Sequence, residues 1–188
     1  MANKKEAIEI VMVVDRSGSM DDIRKEAVSG FNKFLEAQKL VKGAANMTLV
    51  FFDSVVETMY ESVKLKDVSE LTDNSYIPGG LTAMNDGIGE ALRLLEYKAP
   101  EKAILCILTD GMENASKEYT YGIIKNKIES AKERGWEVVF LAANIDAKQS
   151  ASMLGVSANM AMGFSASAEG IHDAYDSMSN STTVYRSS

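Results

Sequence analysis

The pattern of hydrophobic and polar positions alternates between two periods along the chain. Short, nearly continuous apolar runs are followed by longer segments in which apolar residues recur every three or four positions. The short runs are typical of strands covered on both faces, and the longer segments are typical of amphipathic helices. The predicted strands are 8–14, 47–52, 55–59, 103–108, 138–142 and 159–162. The predicted helices are 21–40, 82–95, 121–134, 146–154 and a last one that includes 171–178.

This alternation of strands and helices predicts the fold class. It indicates an α/β fold, a doubly wound, Rossmann-like three-layer sandwich with a mostly parallel sheet and right-handed crossovers. The segment 55–59 follows a short turn, so we expect a short antiparallel strand at one edge. Residues 1–188 are predicted to form one domain with its core at about 8–178. The segment 179–188 is rich in serine and threonine and is expected to fray.

The composition narrows the possible chemistry. The 188 residues include one cysteine, Cys106, and one histidine, His172. These counts exclude an internal disulfide, a zinc site of several thiolates and a metal site of several histidines. A net charge of −7 argues against nucleic acid or an anionic membrane as a partner. Metal binding by this chain would therefore depend on oxygen ligands.

The beginning of the sequence bears on where the protein is located. Residues 1–6 carry two lysines ahead of an apolar run, which resembles a signal peptide. The run contains Glu9, ends at Asp15 and lacks a small-residue cleavage site, so it does not fit that pattern. No apolar stretch approaches the roughly 20 residues of a membrane-spanning helix. We expect a cytoplasmic protein with a reduced thiol.

Polar side chains with oxygen atoms follow the predicted strands at three places. Ligands of doubly wound sheets bind beyond the carboxyl ends of the strands, so these places are informative. The residues are Asp15, Ser17 and Ser19 after the first strand, Thr82 after a glycine loop, and Asp110 after the central strand. Carboxylate and hydroxyl oxygens suit Mg²⁺, and equally Mn²⁺ or Ca²⁺. An ion with an open coordination position would attract an acidic group of a partner.

Simpler interpretations exist for the same residues. Serine and aspartate also cap helices, so the turn after the first strand is open to that reading, and Thr82 is open to it as well. Helix-start, turn or capping roles are the favoured interpretation for five further polar residues, Asp53, Asn85, Asp86, Asn144 and Asp146.

Other side chains also leave alternatives open. Met20 and Met112 lie beside the candidate loops, where they would either pack inside or form an adaptable apolar rim for a partner. Cys106 lies in the middle of a predicted strand and is expected to be inert core. His172 is expected to serve packing or the surface, and Trp136 to anchor a strand.

Three motifs together resemble the metal-ion-dependent adhesion site of von Willebrand factor type A domains. They are Asp15-Arg16-Ser17-Gly18-Ser19, Thr82 within the segment 79–86, and Thr109-Asp110-Gly111. The resemblance extends from about 8 to 172, and the segments 108–116 and 135–144 resemble stand-alone intracellular bacterial and phage members. It implies a six-stranded sheet, ligation by Ser17, Ser19 and Thr82, and binding through Asp15 and Asp110 directly or through water.

The resemblance also implies a function, since members of this family mostly bind proteins in a metal-dependent way. We expect a binding module, an adaptor whose metal coordination is completed by a carboxylate of a partner protein. A structural role in a larger assembly is an alternative. A metal-dependent phosphohydrolase is less favoured, because Ser17 occupies the position where such enzymes place a second aspartate. The chain also lacks a phosphate-binding P-loop motif. We therefore expect no enzymatic activity.

Overall fold

Strands and helices alternate through residues 6–144 and 146–188, the parts of the chain that this computed structural model describes. The strands are β1 (Ile8–Asp15), β2 (Ala45–Phe52), β3 (Val56–Lys64), β4 (Ala103–Thr109), β5 (Glu137–Ala143) and β6 (Ala161–Phe164). The α-helices are α1 (Arg24–Leu40), α2 (Met84–Lys98), α3 (Tyr121–Glu133), α4 (Ala147–Leu154) and α5 (Ala168–Ser187). Short 3₁₀ turns cover Gly18–Ile23, Leu65–Asp67 and Ala158–Met160.

The six strands form one sheet in the order β3-β2-β1-β4-β5-β6. All neighbouring pairs are parallel except β2 and β3, which are antiparallel, so the predicted edge strand is confirmed. The strand order reverses between β1 and β4, the two central strands. Their register pairs Val14 with Leu108, so the residues that follow leave the sheet side by side. Such a reversal point is where doubly wound sheets bind ligands.

Alternate residues of the central strands pack against helices on opposite faces of the sheet. Ile10, Met12 and Val14 of β1 belong to a core shared with α1 and α5. Val11 and Val13 belong to a second core shared with α2, α3 and α4. Because successive side chains of a strand point to opposite faces, nearly continuous apolar strands require this double covering. The prediction of a three-layer α/β sandwich is confirmed.

The end of the chain differs from the sequence-based expectation. The segment 179–188 was expected to fray, but α5 continues through Ser187. Thr182, Tyr185 and Arg186 are buried on the face of α5 that packs inward. The serine and threonine content was misleading, because every third or fourth position of this segment still supplies a side chain that packs against the protein.

Several element boundaries also differ from the predicted ones. A 3₁₀ turn precedes α1, and α2 begins at Met84 rather than at 82. The edge strand β3 reaches Lys64, well beyond the predicted end at 59, and its pairing with β2 shifts register on either side of Leu49. Gly135 and Gly155 follow α3 and α4 with φ values of 80° and 78°, as expected for glycines that end helices.

The structure bears on the two expectations about the location of the protein to different extents. Most of the signal-peptide-like segment lies outside the described residues, which begin at 6. Within the described ranges, no helix is both long enough and apolar enough to cross a membrane.

Candidate metal site

The end of β1 presents three of the predicted oxygen donors in one turn. Asp15 is the last residue of β1 and is fully buried. Its Oδ1 accepts a hydrogen bond of 2.7 Å from the backbone N–H of Ser17, which holds the turn closed. The Oγ atoms of Ser17 and Ser19 share a hydrogen bond of 3.2 Å. Asp15, Ser17 and Ser19 are therefore linked within one short segment.

The segment after β4 completes a network with this turn. The Ser19 hydroxyl donates to Asp110 Oδ1 at 2.6 Å. The Thr109 hydroxyl donates to Asp15 Oδ2 at 2.7 Å, and the backbone N–H of Asp110 lies 3.4 Å from the same oxygen. Because β1 and β4 are adjacent and parallel, residues far apart in sequence meet here. Four of the five predicted site residues thus lie in one hydrogen-bonded cluster.

Thr82 reaches the same edge of the sheet from the loop before α2. The loop is bonded to the β1 turn, since Gly79 donates to the carbonyl of Arg16 at 2.9 Å and Gly18 donates to that of Gly80 at 3.1 Å. Gly80 has a φ of 73°, and a Cβ there would lie 2.6 Å from Ser54 Oγ, so only glycine fits. A Cβ on Gly111 would lie 3.7 Å from Thr82 Oγ1, which places that hydroxyl beside the segment of Asp110.

The alternative role of Thr82 as a helix cap is not supported by the structure. The residue that precedes α2 is Ala83, and no side-chain cap bond is made there. Thr82 is nevertheless buried. Its hydroxyl makes no hydrogen bond to the described residues and can therefore serve as a ligand.

Two carboxylates share this buried environment. Burial raises the pKa of Asp15 to about 6, although hydrogen bonds from Ser17 and Thr109 act to lower it. Burial also raises the pKa of Asp110, against the effect of its hydrogen bond from Ser19. Both shifts have the same physical cause, because removal from water disfavours a negative charge. A cation bound here would favour the charged forms of both.

The donor set fits a hard divalent cation. It consists of two carboxylates and three hydroxyls, and Mg²⁺, Mn²⁺ and Ca²⁺ all accept such oxygen ligands. In the described part of the chain, no group of three or more His, Cys, Asp or Glu side chains is arranged to hold a metal. A metal at this edge of the sheet therefore requires the hydroxyls.

Arg16, inside the first motif, attaches the turn to the β2–β3 hairpin. Its Nε lies 3.0 Å from Asp53 Oδ2, and its Nη1 lies 2.6 Å from Glu57 Oε2. Asp53 Oδ1 also accepts the N–H of Val55 at 3.0 Å, so its predicted turn-forming role is confirmed. The sequence analysis did not identify the ion pairs, because they depend on the hairpin lying next to β1.

Asn144 and Asp146, at the end of β5, have different roles. Asp146 Oδ1 accepts the N–H of Gln149 at 3.0 Å and caps α4, as predicted. Asn144 has a φ of 57°, and its side-chain amide donates to the carbonyl of Asp110 at 3.2 Å. Asn144 therefore forms a turn and also touches the backbone of the site.

The structure settles the alternative for Met20, whereas for Met112 it shows exposure and the role as a rim for a partner stays a prediction. Met20 is fully buried and belongs to the core, so it forms no rim. Met112 is 67% exposed and lies two residues after Asp110. Cys106 and Trp136 are buried as expected, and the indole N–H of Trp136 donates to the carbonyl of Pro100 at 3.0 Å.

The sequence analysis missed a set of contacts between the segment after β4 and the start of α2. Asn114 and Glu113 accept hydrogen bonds from backbone N–H groups of Thr82 and Asn85. Asp86, predicted only as a helix-start residue, is in the first turn of α2, but its carboxylate bonds the segment 117–119. The polar residues after Gly111 were the one sign of these contacts in the sequence. Their pattern does not indicate which distant residues they bind.

Comparison with known proteins adds a family match. Residues 9–176 match the family model of the von Willebrand factor type A domain. No curated protein matches the chain.

Solved structures share the fold at low sequence identity. The vWF domain of the type V pili tip protein Mfa5 from Porphyromonas gingivalis is 12% identical, with a TM-score of 0.72 and 95% of each chain covered. The open conformation of the pilus adhesin SpaC from Lactobacillus rhamnosus GG is 18% identical, with a TM-score of 0.72, covering 95% of this chain and 30% of that one.

A third neighbour was solved with a bound metal. Proximal thread matrix protein 1 from the mussel byssus, solved with zinc in its metal-ion-dependent adhesion site, is 14% identical, with a TM-score of 0.69. The alignment covers 97% of this chain and 47% of the mussel protein, so the chain spans about half the length of that protein.

Proposed function

Because the chain belongs to the family of von Willebrand factor type A domains, we propose that it binds a divalent cation and uses it to bind an acidic group of a partner protein. The ligands in this proposal are Asp15, Ser17, Ser19, Thr82 and Asp110. The observation that carries it is the hydrogen bond of 2.6 Å from Ser19 to Asp110. This bond joins the first of the three motifs to the last. Mg²⁺ is the favoured ion, and Mn²⁺ and Ca²⁺ are alternatives.

The five side chains divide the work of binding. The hydroxyls of Ser17, Ser19 and Thr82 are neutral donors, and Asp15 and Asp110 supply the negative charge directly or through water. When bound, the ion supplies a positive centre to which an anionic oxygen is attracted. The other three donors are uncharged, so when one or both aspartates bind through water, much of that positive charge is left for a partner. An acidic group of the partner then completes the coordination.

The surroundings of the site favour a protein as the partner. Leu81, next to Thr82, is 55% exposed, and Met112 is 67% exposed. These apolar side chains would give a protein partner contact area next to the proposed ligands. A cavity of about 570 Å³, lined by residues such as Ala45 and Arg186, includes none of the five proposed ligands. The proposed site lies at an edge of the sheet, apart from this cavity.

We further propose that residues 1–188 form one domain, that the chain acts in the cytoplasm as bacterial and phage members of the family do, and that it is not an enzyme. The site side chains include no lysine, histidine or cysteine that would act as a base or nucleophile. Phosphatase activity that requires Mg²⁺ and is abolished by Asp15→Asn would contradict this proposal.

A role as an assembly component is the alternative. Light scattering with Mg²⁺ and then with EDTA distinguishes an assembly component from a monomeric adaptor. The measured molar mass is that of several copies for an assembly and that of one chain for an adaptor.

The decisive experiment combines metal titration with affinity capture from the native host. Calorimetric titration with Mg²⁺ is expected to give one site in the wild type and much weaker binding in Thr82→Ala. Thr58→Ala is the matched control, since the Thr58 side chain makes no hydrogen bond to the described residues and lies on β3. Partners captured by the wild type in Mg²⁺ should be lost in EDTA and in Thr82→Ala. Identical partners under all conditions would overturn the metal-bridged mechanism.

A further inference from the structure

The segment that follows Asp110 makes hydrogen bonds to the backbone of Thr82. Asn114 Oδ1 accepts the backbone N–H of Thr82 at 2.8 Å. The backbone N–H of Asn114 in turn donates to the carbonyl of Thr82 at 3.0 Å. One residue therefore satisfies both backbone polar groups of a proposed ligand.

The carboxylates of Glu113 and Asp86 add further hydrogen bonds between this segment and the start of α2. Glu113 Oε2 accepts the N–H of Asn85 at 2.7 Å, and Glu113 Oε1 accepts that of Ser116 at 2.7 Å. Asp86 accepts three backbone N–H groups, from residues 117, 118 and 119, at 2.8 to 3.0 Å. The segment 113–119 and the start of α2 are thus bonded reciprocally. Such a contact fixes the position of one relative to the other.

Thr82 needs an external contact of this kind. It lies outside the strands and before α2, so no regular ladder of hydrogen bonds fixes its backbone. Asn114 is four residues after Asp110, so its bonds tie Thr82 to the segment that supplies another proposed ligand. Residues that orient metal ligands from behind are commonly needed for full metal affinity.

We propose that Asn114 is a positioning residue that sets the distance between Thr82 and Asp110, and thereby the metal affinity of the site. This inference rests on the proposed metal function. The neutral amide of Asn114 suits the task, because it accepts a hydrogen bond without adding a third negative charge to the site. Its loss leaves the N–H of the buried Thr82 without a partner, so the loop would shift to find one.

The first test measures metal affinity and backbone protection separately. Asn114→Ala is expected to weaken Mg²⁺ binding about tenfold, in line with other residues that orient metal ligands. Amide hydrogen exchange in EDTA should become faster at residues 80–84. Asn114→Asp keeps the accepting Oδ1 and should retain that protection. Asn126→Ala, a matched change at an exposed position on α3, should alter neither quantity.

A double-mutant cycle separates positioning from general destabilisation. If Asn114 acts through Thr82, Asn114→Ala should change Mg²⁺ affinity less than about twofold when Thr82→Ala is already present. Additive losses in the double variant would overturn the proposal. Asn114→Ser, which shortens the side chain, replaces Asn114→Ala in the cycle if the latter does not fold.

Failure of the positioning role and failure of the metal site give different results. Near-normal Mg²⁺ affinity in Asn114→Ala, together with weak affinity in Thr82→Ala, would overturn the positioning role alone. Wild-type affinity in Thr82→Ala would overturn the metal site, and the positioning role with it.

Discussion

The guanidinium of Arg186, near the end of α5, donates to the backbone carbonyl of Gln38 in the last turn of α1 at 2.6 Å. It also donates to the carbonyls of Val41 and Gly43 at 3.3 and 3.1 Å. Hydrogen bonds to a charged donor are among the stronger ones, and Arg186 is buried. We expect Arg186→Ala to lower the free energy of unfolding by about 2–3 kcal/mol.

Urea denaturation measures this change. Arg93→Ala is the matched control, because among the described residues Arg93 pairs only with Glu90 on α2, and this exposed pair should contribute little to stability. Equal stability of the two variants would show that the end of α5 contributes little to the fold.

Gly30 of α1 allows a close approach of α5. A Cβ at this position would lie 2.3 Å from Cδ2 of the buried Tyr175 ring. The overpacking in Gly30→Ala should outweigh the helix propensity of alanine and destabilise the protein by about 2 kcal/mol.

Gly122 of α3 provides the comparison for this prediction, since an added Cβ would have only Thr120 Oγ1 at 3.9 Å as a neighbour. Gly122→Ala should stabilise the protein by about 0.5 kcal/mol. Thermal or urea unfolding measures both changes. Similar effects of the two substitutions would contradict the packing argument.

Cys106 should be chemically inert while the protein is folded. It is fully buried in β4, and burial raises the pKa of its thiol to about 12. Only the thiolate reacts, so the rate of alkylation of the native protein should not show the rise between pH 7 and 10 that an ordinary thiol shows. The measurement is the rate of modification with iodoacetamide, with and without urea. Rapid labelling of the native protein would show that β4 opens readily.

Metal binding should appear as added stability. A ligand that binds only the native state at 100 times its dissociation constant raises the free energy of unfolding by about 2.7 kcal/mol. We expect this gain on addition of Mg²⁺ to the wild type, its reversal by EDTA, and a much smaller gain in Thr82→Ala at the same Mg²⁺ concentration. The control, Thr58→Ala, should respond like the wild type. An unchanged melting temperature of the wild type across the Mg²⁺ titration would contradict the proposed site.

The sheet was predictable because its apolar strands require helices on both faces. The apolar runs at 8–14 and 103–108 are too continuous for a half-exposed strand, so both faces had to be covered. Their buried partners, α1 and α5 on one face and α2, α3 and α4 on the other, follow from that requirement. The convergence of Asp15 and Asp110 followed from the same reasoning, since adjacent parallel strands end at one edge.

Contacts made by side chains across loops were not predictable. The partners of Asn114 and Asp86 lie 32 and about 30 positions away, and nothing in the local pattern identifies them. The end of α5 was mispredicted for another reason. Composition there indicates a loose tail, whereas the spacing of Met178, Thr182 and Tyr185 is helical and continues the buried face.

The separation of 95 positions between Asp15 and Asp110 has a consequence for the synthesis of the protein. A ribosome completes the β1 turn long before it reaches β4, so a growing chain holds only part of the site for most of its synthesis. Parallel pairing over such a distance is slow, because a long loop must close first. In the proposed function, the cation can therefore find its full set of ligands only after the central strands have paired.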